Sequence, residues 1–237
     1  MALLRAGKSR IIVSAWQGFY LILPPTYRSV GMLPVSEYID KLMAYIGKPY
    51  CVALLNAAAL YGAAHQRPMS MTVMTSCPPP RSTTKGNTRI DFISKLELAG
   101  GVPSELTRTI KTQFSSMVVA SPEYTALSLV QYSKAAGGLS HVLTVLEELA
   151  ESCRFDALPA CMRDYIPTPC FQRLGYMLEQ LLGETTAADA LHAYLTAALS
   201  KPLRRTKLDP QSSLAPVGYD ARWKVIINAQ PETDLDD

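Results

Sequence analysis

The chain has 237 residues, 48% of them hydrophobic and 18% charged, with a mean hydropathy of +0.08, so it is globular and long enough to bury a sizeable core. Its longest apolar runs stop short of the ~18 residues a membrane span needs, and MALLRAGKSR has no secretory pattern, so a cytoplasmic protein without a membrane partner is expected. The net charge of +3 hides an asymmetry: through Lys111 there are 13 basic against 5 acidic residues, and beyond it 10 against 15, so the first half has the positive balance that contact with phosphates needs, a solvated basic surface being the other reading.

Ser9 to Ala15 and Gly18 to Leu23 are β-branched and aromatic runs that suit a short hairpin, closed off by Pro24-Pro25. A helix is expected after Pro34, with Ile39, Leu42, Met43 and Ile46 on one stripe and Gly47 ending it. A helix of small residues follows from about Cys51 to His65; Ala57, Ala58, Ala59, Gly62, Ala63 and Ala64 leave little bulk, so a second element can approach its backbone closely. Met71 to Thr75 and Arg89 to Ser94 read as strands around a Pro- and Thr-rich loop, and Leu106 to Thr112 and Met117 to Ala120 as two more. Ser121 as N-cap, Pro122 at the first position and Glu123 in the first turn then open a helix that Gly137-Gly138 stops. Three further stripes predict helices: Val142, Val145, Leu146 and Leu149; Phe171, Leu174, Gly175 and Leu178; Leu191, Tyr194, Leu195 and Ala198. Lys201 to Lys207 is basic, Trp223 to Ile227 is a last strand, and the tail PETDLDD is acidic and expected to be disordered. The sum is an α+β fold: a small mixed sheet with packed helices, then a helical C-terminal part.

Convergent titratable groups are scarce. The histidines His65, His141 and His192 form no HxH or HExxH spacing, and no Gly-rich phosphate loop follows a strand, so no catalytic residue, metal ligand or cofactor is assigned. Ser82 to Lys85 matches SxxK by chance, and Asp91 with Lys95 hints at a nuclease site but lacks the acid that Ile93 replaces. His65 suits a helix C-terminal cap beside Gln66 and Arg67, with a ligand role as the alternative, and Arg173 suits an ion pair joining two helices. Met69, Met71 and Met74 read as core filling, and the five cysteines, Cys51, Cys77, Cys153, Cys161 and Cys170, as buried free thiols rather than disulfides or a zinc site. Trp16 at the hairpin tip, flanked by Lys8 and Arg10, is expected to be exposed and to meet another molecule.

Six segments, GFYLILPPTYRSVGMLP, YIDKLM, PYCVALLNAAALYGAAHQRP, ASPEYTALSLVQY, GGLSHVLTVLEELAE and FQRLGYMLE, together resemble the AbiEi antitoxins of bacterial type IV toxin-antitoxin systems, from Gly18 to about Asn228. The resemblance implies a winged helix-turn-helix that represses its own operon and an antitoxin domain that opposes an AbiEii-like nucleotidyltransferase toxin without a stable complex. It divides the chain into residues 1–31, a remnant of the winged helix-turn-helix with its wing hairpin, residues 32–228, the antitoxin domain, and residues 229–237, the tail. Only seventeen residues precede Gly18, which leaves no recognition helix for major-groove readout and points to a truncated or late-starting chain. Lys8, Arg10 and Gln17 are then the candidate wing contacts to operator DNA, and the clustered Arg204, Arg205 and Lys207 the candidate antitoxin surface. Two other readings are a protein-interaction or scaffold domain without DNA binding, and a degenerate nuclease; salt-dependent operator binding, retention of a protein partner, and a divalent ion on Asp91 separate the three.

Overall fold

A computed structural model describes residues 11–63, 68–86, 88–197 and 201–233; His65, Gln66, Arg67, Lys8, Arg10 and the last four acidic-tail residues lie outside these. The described residues fall into two compact units, one within Met1–Val52, Pro68–Pro103 and Thr107–Val119, the other within Ala53–Arg67, Ser104–Leu106 and Ala120–Asp237.

The first unit opens with an antiparallel hairpin, β1 (Ile11–Trp16) and β2 (Phe19–Leu23), turning at Gln17-Gly18. Trp16 does not stand free as the sequence suggested. It packs edge-on against Phe92, with ring centroids 6.0 Å apart, so the surface that covers it is supplied by the same unit. Phe19 reaches Tyr38 and Tyr45, which seats the hairpin beside α1 (Ile39–Ile46). That helix starts later than Pro34, after a single 3-10 turn at Val35–Glu37, and ends at Gly47 in the left-handed conformation that glycine adopts without strain. Ile39, Leu42 and Met43 of its expected stripe are fully buried.

Cys51 and Val52, expected to begin a helix, form instead β3 (Tyr50–Val52), which pairs with two other strands through Cys51↔Met74 and Val52↔Val119. The helix of small residues is therefore shorter, α2 (Leu54–Leu60), and belongs to the second unit. The first unit resumes with β4 (Ser70–Ser76), β5 (Thr83–Lys85), β6 (Thr88–Lys95), β7 (Thr107–Lys111) and β8 (Ser116–Ala120), in a six-stranded mixed sheet of order β5-β6-β4-β3-β8-β7. Seven register pairs from Ser70↔Arg89 to Ser76↔Lys95 make the parallel β4-β6 pair the longest in the sheet. Met74 is buried there, but Met69 is 93% exposed and so is not core filling. Tyr50 ties the sheet to α1, its hydroxyl donating to Asp40 at 3.0 Å and accepting the Val118 N–H at 3.1 Å.

Beyond β8 the chain is mainly helical, with α3 (Pro122–Gln131), α4 (Leu139–Leu149), α5 (Met162–Tyr165), α6 (Thr168–Tyr176) and α7 (Thr185–Ala197). The Ser121 cap forms as read: its Oγ accepts the Tyr124 N–H at 3.2 Å, a bond that contributes about 1 kcal/mol to such a helix start. Glu123 does more than face the helix dipole, because it also accepts the Arg154 N–H at 2.9 Å. The helix ends at Gln131, and the glycines lie beyond it; Gly138 caps α4. Ala57 and Ala58 of α2 are fully buried, and α2 packs on α3 and α4 at the close approach that small side chains permit. A three-stranded sheet, β9 (Thr206–Lys207), β10 (Gly218–Asp220) and β11 (Val225–Ile227), completes the second unit in the order β10-β11-β9. Helices and mixed sheets in this arrangement are an α+β fold. No helix among the described residues is long and apolar enough to cross a membrane.

Candidate nucleic-acid interface

The basic segment Arg204–Lys207, which runs into β9, is held through its backbone by two neighbouring side chains of α6. Gln172 Nε2 donates to the carbonyls of Arg204, at 2.9 Å, and of Trp223, at 2.7 Å. Arg173 Nε donates to the Lys207 carbonyl at 2.8 Å and its Nη2 to Thr206 Oγ1 at 3.1 Å. Arg173 is thus not the helix-to-helix ion pair expected from the sequence. A planar guanidinium can bind a backbone carbonyl and a hydroxyl together, and here it anchors a strand. Burial lowers its pKa from the ordinary value, yet an arginine stays charged at neutral pH. With the main chain fixed, the side chains of Arg204, Arg205 and Lys207 remain exposed, and the Arg205 guanidinium lies 4.9 Å from the centroid of the Tyr219 ring.

Trp223 supports the same sheet from below. Fully buried, it lies against Gly175 of α6, and its Nε1 donates to Glu179 Oε2 at 2.5 Å. Arg222 bridges Glu179, at 2.7 Å, and Asp189, at 2.5 Å, while His192 stands edge-on to the Trp223 ring at 5.1 Å. Burial and the Arg222 charge hold His192 below its ordinary pKa of 6.5, against the weaker pull of Glu179 and Asp189. A group that resists protonation when folded contributes its full stability above the unfolded value of 6.5 and loses it as pH falls below that value. The wild-type melting temperature is therefore expected to fall below pH 6.5 more steeply than that of His192→Phe; parallel pH profiles would refute the assignment.

The remaining candidates sort differently. Gln17 is exposed in the β1-β2 turn of the first unit, whereas Lys8 and Arg10, its expected companions at a wing, lie outside the described residues. Asp91 is committed to structure: burial pushes its pKa up, but hydrogen bonds from Arg89, Ser70 and Ser82 outweigh this and hold it below its ordinary value. Among the described residues no group of His, Cys, Asp and Glu is placed to hold a metal ion. Cys51 and Cys170 are buried, but Cys77 is exposed and Cys153 and Cys161 half-buried, so the expectation of five buried thiols is corrected. Burial pushes the Cys51 thiol up to about 12 although Lys95 pulls it down, which keeps it protonated and unreactive. Sequence reasoning missed Gln172, Tyr219 and the seating of Trp223 on Gly175; the QRLGY segment was the one signal available for two of these.

The crystal structure of the RV2827C protein from Mycobacterium tuberculosis superposes with a TM-score of 0.60 at 14% identity, covering 91% of this chain and 74% of that one, a likeness of fold. Residues 50–180 match the AbiEi antitoxin C-terminal domain, more than half of the chain, and the chain belongs to that family. No curated protein sequence matches it. The matched segment includes Gln172 and Arg173 but ends before the strand they hold.

Proposed function

We propose that this chain is the antitoxin of a type IV, abortive-infection system of phage defence, acting in the cytoplasm and without catalysis to oppose a nucleotidyltransferase toxin of the AbiEii kind. Membership of the AbiEi antitoxin family carries the reading. The antitoxin surface is Arg204, Arg205 and Lys207, which compete with the toxin for its nucleic-acid target. Three exposed cations clustered on the segment that runs into β9, with the backbone anchored at Arg204 and Lys207, suit phosphate contact. Autoregulation through operator DNA belongs to the same proposal, with Lys8, Arg10 and Gln17 touching phosphates as a wing does and the basic N-terminal half adding sequence-independent affinity.

Co-expression with the toxin, in cells carrying a reporter behind the operon promoter, tests both parts. Replacing Arg204, Arg205 and Lys207 with alanine is expected to abolish rescue from the toxin while the protein accumulates normally; intact rescue would refute the surface. Replacing Lys8, Arg10 and Gln17 with alanine is expected to raise reporter output several-fold and spare rescue, and an unchanged reporter would refute the wing contact.

A further inference from the structure

We propose that the outer face of the three-stranded sheet β10-β11-β9 is a stacking platform for single-stranded nucleic acid. The register places Lys207, Ile226 and Tyr219 in one row across the three strands and Thr206, Val225 and Asp220 in the next. Adjacent rows of a sheet face opposite ways. Val225 is fully buried, so its row faces the interior and the Lys207-Ile226-Tyr219 row faces out. Tyr219 is 41% exposed, Lys207 is exposed, and Arg205 lies over the Tyr219 ring at 4.9 Å. The loop leading into β10 adds exposed Leu214 and Val217.

An aromatic ring and a guanidinium plane on an open sheet face offer what an unpaired base needs for stacking, and lysine and arginine beside them take the phosphates on either side. A duplex hides its base faces, and this face carries no helix to enter a groove, so the platform selects single strands. The Asp209 carboxylate, two residues beyond Lys207, accepts the Gln211 N–H at 2.8 Å within its own turn. The anchoring by Gln172 and Arg173 means the platform is formed before a ligand arrives, which spares the ordering penalty that a loop of the same composition would carry.

The inference deepens the proposed antitoxin surface and rests on that reading for its biological meaning, but its test does not. Fluorescence anisotropy of the full chain is measured with labelled oligouridylate and oligothymidylate of about 12 nucleotides, a duplex of the same length and a polyglutamate peptide, between about 50 and 200 mM salt. Both single strands are expected to bind more tightly than the duplex and the peptide, and a preference between them separates RNA from DNA as the natural ligand. Tyr219→Ala is expected to weaken binding about 10- to 100-fold and Tyr219→Phe, which keeps the ring, to retain it. Lys207→Ala is expected to reduce the salt slope by about 1. Equal or tighter binding of the duplex or peptide, no single-strand binding, or an unaffected Tyr219→Ala would overturn the platform. If the oligonucleotides bind as expected but the triple alanine variant still rescues cells, the antitoxin surface falls and the platform stands; lost rescue without oligonucleotide binding gives the reverse.

Discussion

Gly175→Ala is expected to destabilise the protein by about 2 kcal/mol net, although alanine is the better helix former. In an unstrained helix the exchange gains up to ~1 kcal/mol, because glycine loses more backbone freedom on folding. Here the new Cβ falls 2.1 Å from two atoms of the Trp223 ring and 2.4 Å from a third. The ring has no room to yield. Its Nε1 is bound to Glu179, the Trp223 backbone N–H donates to Asp220 Oδ1 at 2.7 Å and the backbone carbonyl accepts from Gln172, and His192 stands at one edge of the ring. Overpacking of a fixed site costs about 3 kcal/mol, so sterics outweigh propensity. Urea denaturation followed by circular dichroism measures the sum, and a midpoint at or above wild type would refute the packing. The double variant Gly175→Ala with Trp223→Phe is expected to lose less than the two single losses added together, because the smaller ring clears the Cβ.

This site also marks where the sequence stops being readable. The stripe of Phe171, Leu174, Gly175 and Leu178 was legible as a buried face because a period of 3.6 is a local property. That Gly175 is there to admit Trp223, 48 residues later, is not a local property. The Ser121-Pro122-Glu123 start was legible for the same reason as the stripe, since a cap and its helix are neighbours in the chain. Cys51 and Val52 read as helix because alanines follow; what makes them strand is pairing with Met74 and Val119, supplied by β4 and β8. The candidate site divides in the same way. Composition located Arg204, Arg205 and Lys207, but Tyr219 joins them only through β11, and the anchors Gln172 and Arg173 lie 32 and 34 residues from the Arg204 and Lys207 carbonyls they hold. Charge is visible in composition, whereas the partner of a side chain is set by topology.

Glu37→Ala is expected to destabilise the first unit by about 3 kcal/mol, again through partners far away in the chain. Glu37 is 9% exposed at the end of the 3-10 turn before α1. Its Oε2 accepts from Thr112 Oγ1 and from the Phe114 N–H, both at 2.8 Å, and its Oε1 from the Gln113 N–H at 3.2 Å, spanning 75 to 77 residues. One carboxylate thereby satisfies most of the turn between β7 and β8, where Thr112 also closes on Ser115. Tyr27 adds a T-shaped contact with Phe114, with centroids 6.1 Å apart, and a hydroxyl bond to Gln113. Truncation to alanine leaves two backbone N–H groups without their acceptor, and each such loss costs about 1–3 kcal/mol. Glu37→Gln keeps one acceptor oxygen and presents an NH2 where a second is needed, so about half the loss is expected. Hydrogen exchange distinguishes this clamp from general destabilisation: the Gln113 and Phe114 amides are expected to lose about 10- to 100-fold protection under conditions where the β4-β6 amides keep theirs. Unchanged protection at both amides in Glu37→Ala would leave the carboxylate without the role assigned to it.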